Sequence, residues 1–407
     1  MRLSQTFIKT LREAPKDEAA INGALLTRAG YVHKEMAGVY DFLPFGLRVL
    51  ENIKKIIREE LNAIGGEEVL MSALQNPDPW EKTGRFSDQE VDIWFKTELT
   101  AGGVLGLAPT HEEPMIEMVK KYVSSYKDLP FAVYQFQNKF RNELRAKSGI
   151  LRGREFLMKD LYSFHTSEED LDRFYAKAEK AYERIFERVG LGDCTYETFA
   201  SGGIFAKFSH EYQTVLPVGE DTIYHNKDWS LVLNKEVFED EILEEFGKSR
   251  ADFEETTGAE VGNIFKLKLK YSEPLDLKFV DEDNTPKIVY MGCYGIGVTR
   301  LMGVIAEKYA DEKGLVWPEA VAPFKYYLVG IGDEGLKQAE KLYKGHEEEV
   351  LFDDRDLRVG EKFADSELIG VPYRVVISDK TLASDAVEVT NRATGKTTMA
   401  KIAKIFG

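Results

Sequence analysis

The chain has 407 residues, of which 43% are hydrophobic and 30% are charged, and its formal net charge is −16. This composition is typical of globular proteins, and the length is sufficient for two or three domains that each bury a core. The acidic balance disfavours wholesale coating of nucleic acid, although it is compatible with a local basic track.

Features of membrane and secreted proteins are not found in the sequence. No run of eighteen apolar residues occurs, and the N-terminal segment has no apolar core and is too acidic for a transit peptide. Cys194 and Cys293 are far apart, which argues against a disulfide framework and against a cysteine-ligated zinc site. We therefore expect a cytoplasmic protein that does not enter a membrane and has no dedicated metal-ligand cluster.

The N-terminal part begins with a clear helix signal. Apolar residues recur every three to four positions over 47–64, which predicts an amphipathic helix, and Gly65 ends it. Val69 to Leu74 is predicted to be a strand. Thr110 and Glu112 end the next apolar run, and in a strand both would point into one pocket, where a hydroxyl and a carboxylate suit an ammonium group. A surface turn explains these two residues equally well.

The stretch from Lys139 to His165 inverts the charge of the chain, with six basic residues and one acid, Glu143, in its first sixteen positions. Period-two patterns on both sides predict two strands joined by a basic loop, with Arg141 and Glu143 on one face of the first strand. A guanidinium can hold a carboxylate or phosphate through two hydrogen bonds, a carboxylate can accept from an exocyclic amine, and Phe156 offers a stacking surface. This set favours a nucleotide triphosphate site without a P-loop over a solvated hairpin tip.

The middle of the chain is less informative. A long helix capped by Thr166 or Ser167 is predicted to pack its apolar face in the core. The segment after Ser201 combines two glycines with Ser209 and His210, and by chemistry alone this histidine is more often structural than catalytic. Residues 235–255 hold nine acids against three bases, which predicts a solvated helix or a short appendage.

The C-terminal part predicts strands, a glycine-rich turn and then a small separate domain. Strands are expected at 261–270 and on both sides of a turn at 281–284, before Gly295 and Gly297 enter a helix that carries Arg300 on its first turns. The glycine spacing differs from the dinucleotide-binding fingerprint. A linker with two prolines follows, and alternating strands and helices from residue 326 to residue 390 predict an α/β domain.

Three of these segments resemble the motifs of the class II aminoacyl-tRNA synthetases. Residues 139–165 resemble motif 2, with Phe140 to Glu143, a loop, and Arg152 to Phe156. Residues 38–74 resemble motif 1, except that Ser72 stands where the family usually has a proline, and residues 291–306 resemble motif 3. The order of all segments, with Thr110-x-Glu112 and a Ser-His-Glu stretch, is similar to the bacterial-type prolyl branch of this class.

The resemblance implies a fold and a reaction. The fold is α+β, with a catalytic domain over residues 1–320 in which helices flank an antiparallel sheet, a reduced acidic insertion at 235–255, and an α/β anticodon-binding domain over 321–407. The reaction is activation of proline by ATP to prolyl-adenylate and transfer to the 3′ end of proline tRNA. The resemblance also implies a homodimer and Mg²⁺ that the nucleotide itself mainly holds.

The resemblance further implies roles for individual residues. ATP would be bound by Arg141, Glu143, Arg152, Phe156 and Arg300, of which Arg141 and Arg300 act in catalysis. Proline would be bound by Thr110, Glu112, Arg141, His165 and Ser209. The tRNA would be bound by Arg145, Asp354, Arg355, Arg358 and Lys362.

Two other functions compete with this one. A catalytically silent paralogue that binds amino acid or tRNA as a regulator would usually lack the motif arginines, which are all present here. A threonyl enzyme would need a zinc site of cysteine and histidine, which this sequence does not offer. The short segment at 235–255 cannot form an editing domain, so we also expect mischarged alanyl-tRNA to be corrected by a separate protein.

Overall fold

The computed structural model describes residues 1–16, 18–144, 146, 148–202, 208–402 and 405. The helices are α1 Ile21–Arg28, α2 Pro44–Ala63, α3 Pro77–Lys82, α4 Glu112–Val119, α5 Glu168–Arg188, α6 Asp240–Glu245, α7 Val298–Tyr309, α8 Asp333–Tyr343, α9 Val359–Ile369 and α10 Asp379–Leu382. No helix in this part of the chain has the length and apolar character needed to span a membrane.

The strands form one large sheet, a smaller C-terminal sheet and three short ribbons. They are β1 Val32–Met36, β2 Val39–Phe42, β3 Gly66–Glu68, β4 Leu74–Gln75, β5 Phe95–Glu98, β6 Val104–Leu107, β7 Phe131–Phe140, β8 Glu155–His165, β9 Thr195–Ser201, β10 Phe208–Val215, β11 Asp221–Asn226, β12 Val232–Asn234, β13 Phe253–Lys268, β14 Lys278–Val280, β15 Pro286–Ile288, β16 Tyr290–Gly297, β17 Tyr326–Ile331, β18 Val350–Asp353, β19 Tyr373–Ser378, β20 Ala386–Asn391 and β21 Thr397–Lys401.

The large sheet has the strand order β10-β9-β12-β11-β13-β16-β8-β7-β3, with β10 also paired to β13. Most neighbours are antiparallel, and β3 runs parallel to β7 at one edge. The predicted hairpin is confirmed, because β7 and β8 pair in register from Phe131 opposite Phe164 to Phe140 opposite Glu155. The basic loop therefore leaves the sheet at one end of the β7–β8 hairpin.

Helix α5 covers one face of this sheet and leaves the other face to the functional cleft. Ser167 accepts a hydrogen bond from the Asp170 amide and so caps the helix, as predicted. Its apolar stripe lies against the sheet, where Lys159 of β8 donates to the hydroxyl of Tyr182. Since side chains alternate along a strand, the neighbouring Asp160 points to the opposite face.

Two strands that the sequence predicts beside the cleft are not formed by the predicted residues. Val69 to Leu74 is not one strand, because β3 precedes it and the Met71 amide donates to the side chain of Gln135 on β7 instead of to a backbone carbonyl. Thr110 and Glu112 do not lie on a strand either. Strand β6 ends at Leu107, and Glu112 is the first residue of α4.

The acidic segment at 235–255 differs in part from its prediction. Its acids lie mostly at the surface, but Val237 and Leu243 are buried, and Phe238 stacks on Tyr224 with 3.7 Å between ring centroids. A small apolar cluster thus fastens this segment to the sheet. Strand β13 also begins at Phe253, earlier than the predicted residue 261.

The C-terminal domain follows its prediction closely. Its sheet has the order β18-β17-β19-β20-β21, with β20 and β21 antiparallel to their neighbours. All predicted elements are found, and the short helix α10 and the strand β21 are additional. The N-terminal segment joins this domain to the rest, because the Met1 ammonium donates to the carbonyl oxygens of Glu347 and Val350, and Arg2 contacts Asp354 at 3.1 Å.

Candidate active site

The cleft consists of two adjoining cavities on the face of the sheet opposite α5. Both cavities are lined by Arg141, Met158, Asn263 and Gly295. The first, which we call the arginine cavity, is completed by Glu143, Leu151, Arg152, Gly153, Phe156, Glu260, Val261, Gly262, Gly297, Thr299 and Arg300. The second, the glutamate cavity, is completed by Arg85, Val91, Ile93, Pro109, Thr110, Glu112, Asp160, Tyr162, Phe265, Leu267, Tyr271 and Cys293.

Arg300 is fixed within the arginine cavity by backbone oxygens. Its Nε donates to the carbonyl of Leu151 at 2.7 Å, and its Nη1 donates to the carbonyl of Glu260 at 2.7 Å. Arg300 lies in the first turn of α7, directly after the glycine-rich end of β16, as the sequence predicts. The same Nη1 also lies 3.7 Å from a carboxylate oxygen of Glu260, a long ion pair that leaves the guanidinium able to bind a further anion.

Gly295 allows two strands to bring polar groups together at the junction of the cavities. A Cβ atom at this position would lie 2.9 Å from the side-chain oxygen of Asn263, which is closer than such contacts occur. Asn263 in turn donates to the carboxylate of Glu260 at 2.7 Å. The glycine therefore leaves room for an amide and a carboxylate on the floor of the cleft.

Arg141 occupies the junction between the two cavities. Its Nε lies 3.3 Å from the carbonyl oxygen of Pro109, and its guanidinium stands 5.2 Å from the ring centre of Phe156. Among the described residues no carboxylate oxygen lies within 4.0 Å of it. Burial and the charge of Arg300 lower the pKa of Arg141. A partly buried cation without an anionic partner is suited to bind one.

The predicted face-sharing of Arg141 and Glu143 on a strand is wrong, because β7 ends at Phe140. Both side chains nevertheless line the arginine cavity. Glu143 accepts two hydrogen bonds from Arg152, at 3.0 and 2.7 Å. The loop after the strand, and not the strand pleat, therefore brings these groups together.

Glu112 is the centre of the glutamate cavity. Its carboxylate accepts hydrogen bonds from the hydroxyls of Thr110, at 2.7 Å, and Tyr162, at 3.2 Å, and lies 3.2 Å from a guanidinium nitrogen of Arg85. Burial alone would raise the pKa of Glu112, but the Arg85 charge and these hydrogen bonds lower it. The cavity thus presents a fixed carboxylate anion, although the segment is not the predicted strand.

Arg85 holds two neighbouring carboxylates at once. It contacts Glu113 at 3.0 Å as well as Glu112, and its guanidinium lies between the rings of Trp80 and Tyr271, at 5.0 and 4.9 Å. Burial and repulsion by Glu112 raise the pKa of Glu113 to about 7, against the opposing charge of Arg85. One cation therefore supports one full anion, Glu112, and a second carboxyl that is partly protonated near neutral pH.

A buried chain of hydrogen bonds supports the floor of the glutamate cavity. Nδ1 of His111 lies 2.6 Å from the ammonium of Lys139, which contacts the Asp160 carboxylate at 2.8 Å. Nε2 of the same imidazole lies 3.1 Å from the carbonyl oxygen of Ser72. Burial and the Lys139 charge lower the pKa of His111 to about 4, so that the ring is neutral at pH 7 and accepts from Lys139.

Two residues predicted to bind proline lie outside this lining. Side chains alternate along β8, so Asp160 and Tyr162 point to the cleft and His165 points to the opposite face, towards α5. Its Nδ1 lies 2.7 Å from the Asp170 carboxylate of that helix. The strand pleat thus contradicts a direct cleft role for His165. Ser209 donates to the carbonyl of Ser201 at 2.9 Å and, among the described residues, is not part of the cavity lining.

The predicted tRNA-binding residues differ in their availability. Lys362 is buried and donates to the carbonyl of Asp353, and Arg355 pairs with the carboxylates of Asp353 and Asp365 at 2.8 Å each. Asp354 accepts from Arg2 and Ser4 at the N-terminus. Arg358 is exposed just before α9. Arg145 lies outside the described residues.

Sequence reasoning missed Arg85, Asn263, Asp160 and Tyr271 as cleft residues. Arg85, Asp160 and Tyr271 each have cleft partners that are distant in sequence, for example Arg85 with Glu112, Asp160 with Lys139, and Tyr271 with Arg85. The one local signal was Arg85 itself, a single charge between Thr83 and Phe86 that fits no helix or strand period. Only the folded sheet brings these side chains to one face.

Comparison with known proteins matches this architecture. Residues 95–309 match the tRNA synthetase class II core domain (G, H, P, S and T), and residues 325–407 match the anticodon binding domain. The prolyl-tRNA synthetase of Cryptosporidium parvum, solved with halofuginone and AMPPNP, superposes with a TM-score of 0.77 at 17% identity, over 94% of this chain and 75% of that chain. Fold and cleft therefore define a class II aminoacyl-tRNA synthetase, an enzyme class that uses ATP.

Relatives of similar length give the family. The proline–tRNA ligases of Ehrlichia chaffeensis and Agrobacterium fabrum are each 38% identical to this chain, over 97% of it and over 96% and 97% of their own lengths. The chain belongs to the proline–tRNA ligase family. The expected family, the α+β fold and the aminoacyl-tRNA ligase class are confirmed, and they favour an enzyme over a silent paralogue. The anticodon-binding domain implies binding of tRNA.

Proposed function

We propose that this enzyme activates proline with ATP and transfers the prolyl group to the 3′ end of proline tRNA. The observation that carries the proposal is the position of Arg141, a cation without a carboxylate partner that stands between the anionic Glu112 and the cationic Arg300. An amino acid placed across this junction has its ammonium towards the glutamate and its carboxylate towards the arginine. That carboxylate then borders the arginine cavity, where phosphates bind.

The proline seat follows from the charge of the glutamate cavity. The secondary ammonium of proline has two N–H donors, which suit the carboxylate of Glu112 and the oxygen of Thr110. Phe265 and Leu267 supply apolar wall for the ring. His165 and Ser209 contribute from outside this lining: His165 packs under α5, and Ser209 lies on the strand that pairs with β13.

The nucleotide seat follows from the arginine cavity. Phe156 offers an aromatic face for adenine, the carboxylate of Glu143 accepts from its exocyclic amine, and Arg152 and Arg300 hold the phosphates. Two arginines around a triphosphate also stabilise the charge that leaves with pyrophosphate.

The chemical step requires positioning more than proton transfer. One oxygen of the proline carboxylate attacks the α-phosphorus, the bond to pyrophosphate breaks, and the anion leaves towards Arg300. Arg141 can contact both the attacking carboxylate and the α-phosphate, so it orients the reactants and balances the charge of the transition state. The attacking oxygen is already an anion, and therefore no protein base is needed.

The arginine cavity offers few protein ligands for Mg²⁺. Of the two carboxylates in this cavity, Glu143 is held by Arg152, whereas Glu260 accepts from the amide of Asn263 and lies 3.7 Å from a guanidinium nitrogen of Arg300. A single carboxylate ligand from the protein is typical of a site where phosphate oxygens and water supply most ligands. Glu260 would hold Mg²⁺, which when bound neutralises phosphate charge.

The proposal extends to tRNA and to assembly. Arg358 would form the anticodon surface together with Asp354, Arg355 and Lys362, whose side chains are held by protein partners. Arg145 would approach the acceptor stem.

A homodimer is supported by exposed apolar side chains in motif 1, namely Leu47, Leu70 and Leu74, which a second copy would cover. We also place the enzyme in the cytoplasm and leave removal of mischarged alanine to a separate protein.

Exchange of pyrophosphate into ATP with a panel of amino acids tests this function. Proline is expected to support exchange strongly, alanine weakly, and threonine not at all. Transfer to tRNA is measured separately by charging of proline tRNA. Proline-independent exchange, or a clear preference for another amino acid, would overturn the proposed substrate.

A further inference from the structure

We infer that this chain has a binding site for a divalent transition-metal ion, best fitted by Zn²⁺, on the face of the sheet that α5 covers. Its ligands are Glu179 of α5, Glu197 of β9 and His210 of β10, which together we call the histidine cluster. None of these residues lines the cleft, which lies on the opposite face.

The spacing of the ligand atoms suits such an ion. Nδ1 of His210 lies 3.4 Å from Oε1 of Glu179 and 3.5 Å from Oε1 of Glu197, and the ligand atoms all lie within 4.8 Å of one another. Tetrahedral zinc has bonds of about 2.0–2.2 Å to nitrogen and oxygen, which places its ligand atoms roughly 3.3–3.6 Å apart. Three ligands are thus already near their positions, and a fourth position is open.

The cluster results from regular secondary structure. Glu197 and Tyr212 are directly opposite each other on β9 and β10, and His210 lies two residues before Tyr212 on the same face. Glu179 lies one helical turn after Tyr175, whose hydroxyl reaches Nδ1 of the histidine at 3.0 Å. Two strands and a helix therefore hold these side chains, which are only partly exposed.

A buried hydroxyl beside the cluster is the second observation. Tyr212 is 2% exposed, and within the described part of the chain its hydroxyl has no hydrogen-bond partner. Tyr212 lies directly opposite Glu197 across β9 and β10, so its side chain stands on the same face as the cluster. A water molecule in the fourth position of the ion would donate to the Tyr212 hydroxyl oxygen and satisfy it.

The charge around the cluster also favours a cation. Among the described residues no lysine or arginine nitrogen lies within 4.0 Å of Glu179 or Glu197, and the nearby Lys180 pairs with Glu183 instead. Tyr175 can donate to the carbonyl of Ile264 at 3.2 Å, which releases Nδ1 of the histidine for a metal. The alternative, a protonated histidine between two carboxylates, would need no ion.

The ion would tie α5 to the edge of the sheet. Ser209 is adjacent to the histidine but points to the other face, so a metal here affects the cleft only through the position of β10. We therefore expect a gain in thermal stability and no direct part in adenylation.

The test is zinc binding by the full-length enzyme after treatment with EDTA. Titration with zinc chloride against a chelating dye is expected to show a site that His210→Asn and Glu197→Gln weaken by about 10- to 100-fold. Zinc should raise the melting temperature of the parent protein and not that of either variant. Should His210→Asn fail to fold, Glu197→Gln and Glu179→Gln at partly exposed positions still give the answer.

Two controls separate ligation from general attraction. His33 lies in a fully exposed trio with Glu35 and Asp41, and His33→Asn should leave the affinity unchanged. Glu183→Gln removes the same charge one helical turn beyond Glu179 and should also leave it unchanged. The proposal is overturned if no saturable zinc binding occurs, or if either control weakens binding as much as His210→Asn.

Discussion

Arg152 directs its Nε and Nη2 atoms to one carboxylate oxygen of Glu143, at 3.0 and 2.7 Å. These are the residues proposed to hold opposite ends of ATP, so nucleotide binding exchanges their ion pair for contacts to the triphosphate and the adenine amine. Because the Arg152 side chain is 40% exposed, the pair contributes less than about 1 kcal/mol to stability. The exchange is therefore easy, and the pair keeps both groups oriented towards the cavity.

Arg141→Ala is expected to reduce proline-dependent pyrophosphate exchange by at least about a hundredfold, because a charge-assisted contact in a desolvated site contributes on the order of 3 kcal/mol to the transition state. Circular dichroism should show an unchanged fold. Arg173→Ala, which removes an arginine that is 67% exposed on α5, is the matched control and should retain full exchange. Near-normal exchange by a folded Arg141→Ala enzyme would contradict the proposed reaction geometry.

Glu112→Gln is expected to raise the KM for proline by roughly 10- to 100-fold, since a charge-assisted hydrogen bond to the ammonium is lost. The KM for ATP should stay unchanged, because the arginine cavity is intact. Glu113→Gln is the control on the same helix turn; its pKa of about 7 means that the charge is already partly lost at neutral pH. An equal rise of the KM for proline in both variants, or a parallel rise of the KM for ATP, would show that proline does not bind at Glu112.

Arg358→Ala is expected to lower the kcat/KM for charging of proline tRNA on the order of tenfold while sparing pyrophosphate exchange, since its exposed guanidinium is free to contact RNA. Lys337→Ala, at a residue 78% exposed on α8, controls for general charge. Arg355→Ala should behave differently and lower the melting temperature, because it leaves the buried Asp353 carboxylate without its cationic partner, although the Tyr327 hydroxyl still donates to it. Unchanged charging by Arg358→Ala would remove this surface from the tRNA contact.

His111 predicts a pH dependence of stability. Its pKa is lowered from 6.5 to about 4 in the folded protein, so its neutral form contributes stability that is fully present above pH 6.5 and is lost as the pH falls towards 4. That difference corresponds to about 3 kcal/mol. Urea unfolding should show that His111→Gln is less sensitive to acid across this window than the parent enzyme. Parallel pH profiles of the two proteins would contradict a buried neutral imidazole.

Alanyl-tRNA of the proline family should not be hydrolysed by this enzyme. The 235–255 segment is short and buries Val237, Phe238 and Leu243 against the sheet, which leaves it no core of its own for a hydrolytic domain. A proline pocket can refuse alanine only through lost contacts, worth roughly 1 to 3 kcal/mol, so some mischarging is expected. Purified enzyme is added to preformed alanyl-tRNA and deacylation is followed; release faster than the spontaneous rate would show an editing site.

Periodic patterns predicted the elements that depend on local sequence. Helix α2, the hairpin of β7 and β8, and the alternating elements of the C-terminal domain are found as expected. The failures lie where a partner distant in sequence decides the backbone. The Met71 amide is taken by Gln135, which prevents a strand at 69–74, and β13 extends back to Phe253 because it pairs with β11.

The candidate site divides in the same way. Arg141, Glu143, Arg152, Phe156 and Arg300 follow from ordered motifs, and all line one cavity. Arg85 could not be assigned, since its partners lie 27 and 28 positions away in sequence. The two-residue period of β8 places His165 away from Asp160 and Tyr162, so its predicted part in proline binding would be indirect.

The buried chain from His111 to Asp160 has a consequence for hydrogen exchange. Asp160 accepts from Gln135 at 3.0 Å, and Gln135 accepts from the Met71 amide at 3.0 Å, so a backbone proton in motif 1 is two side chains away from the floor of the proline seat. Deuterium uptake at Met71 therefore reports on the order of that floor. Proline binding should slow the uptake, which makes this one amide a spectroscopic probe of the occupied site in a segment that touches no substrate.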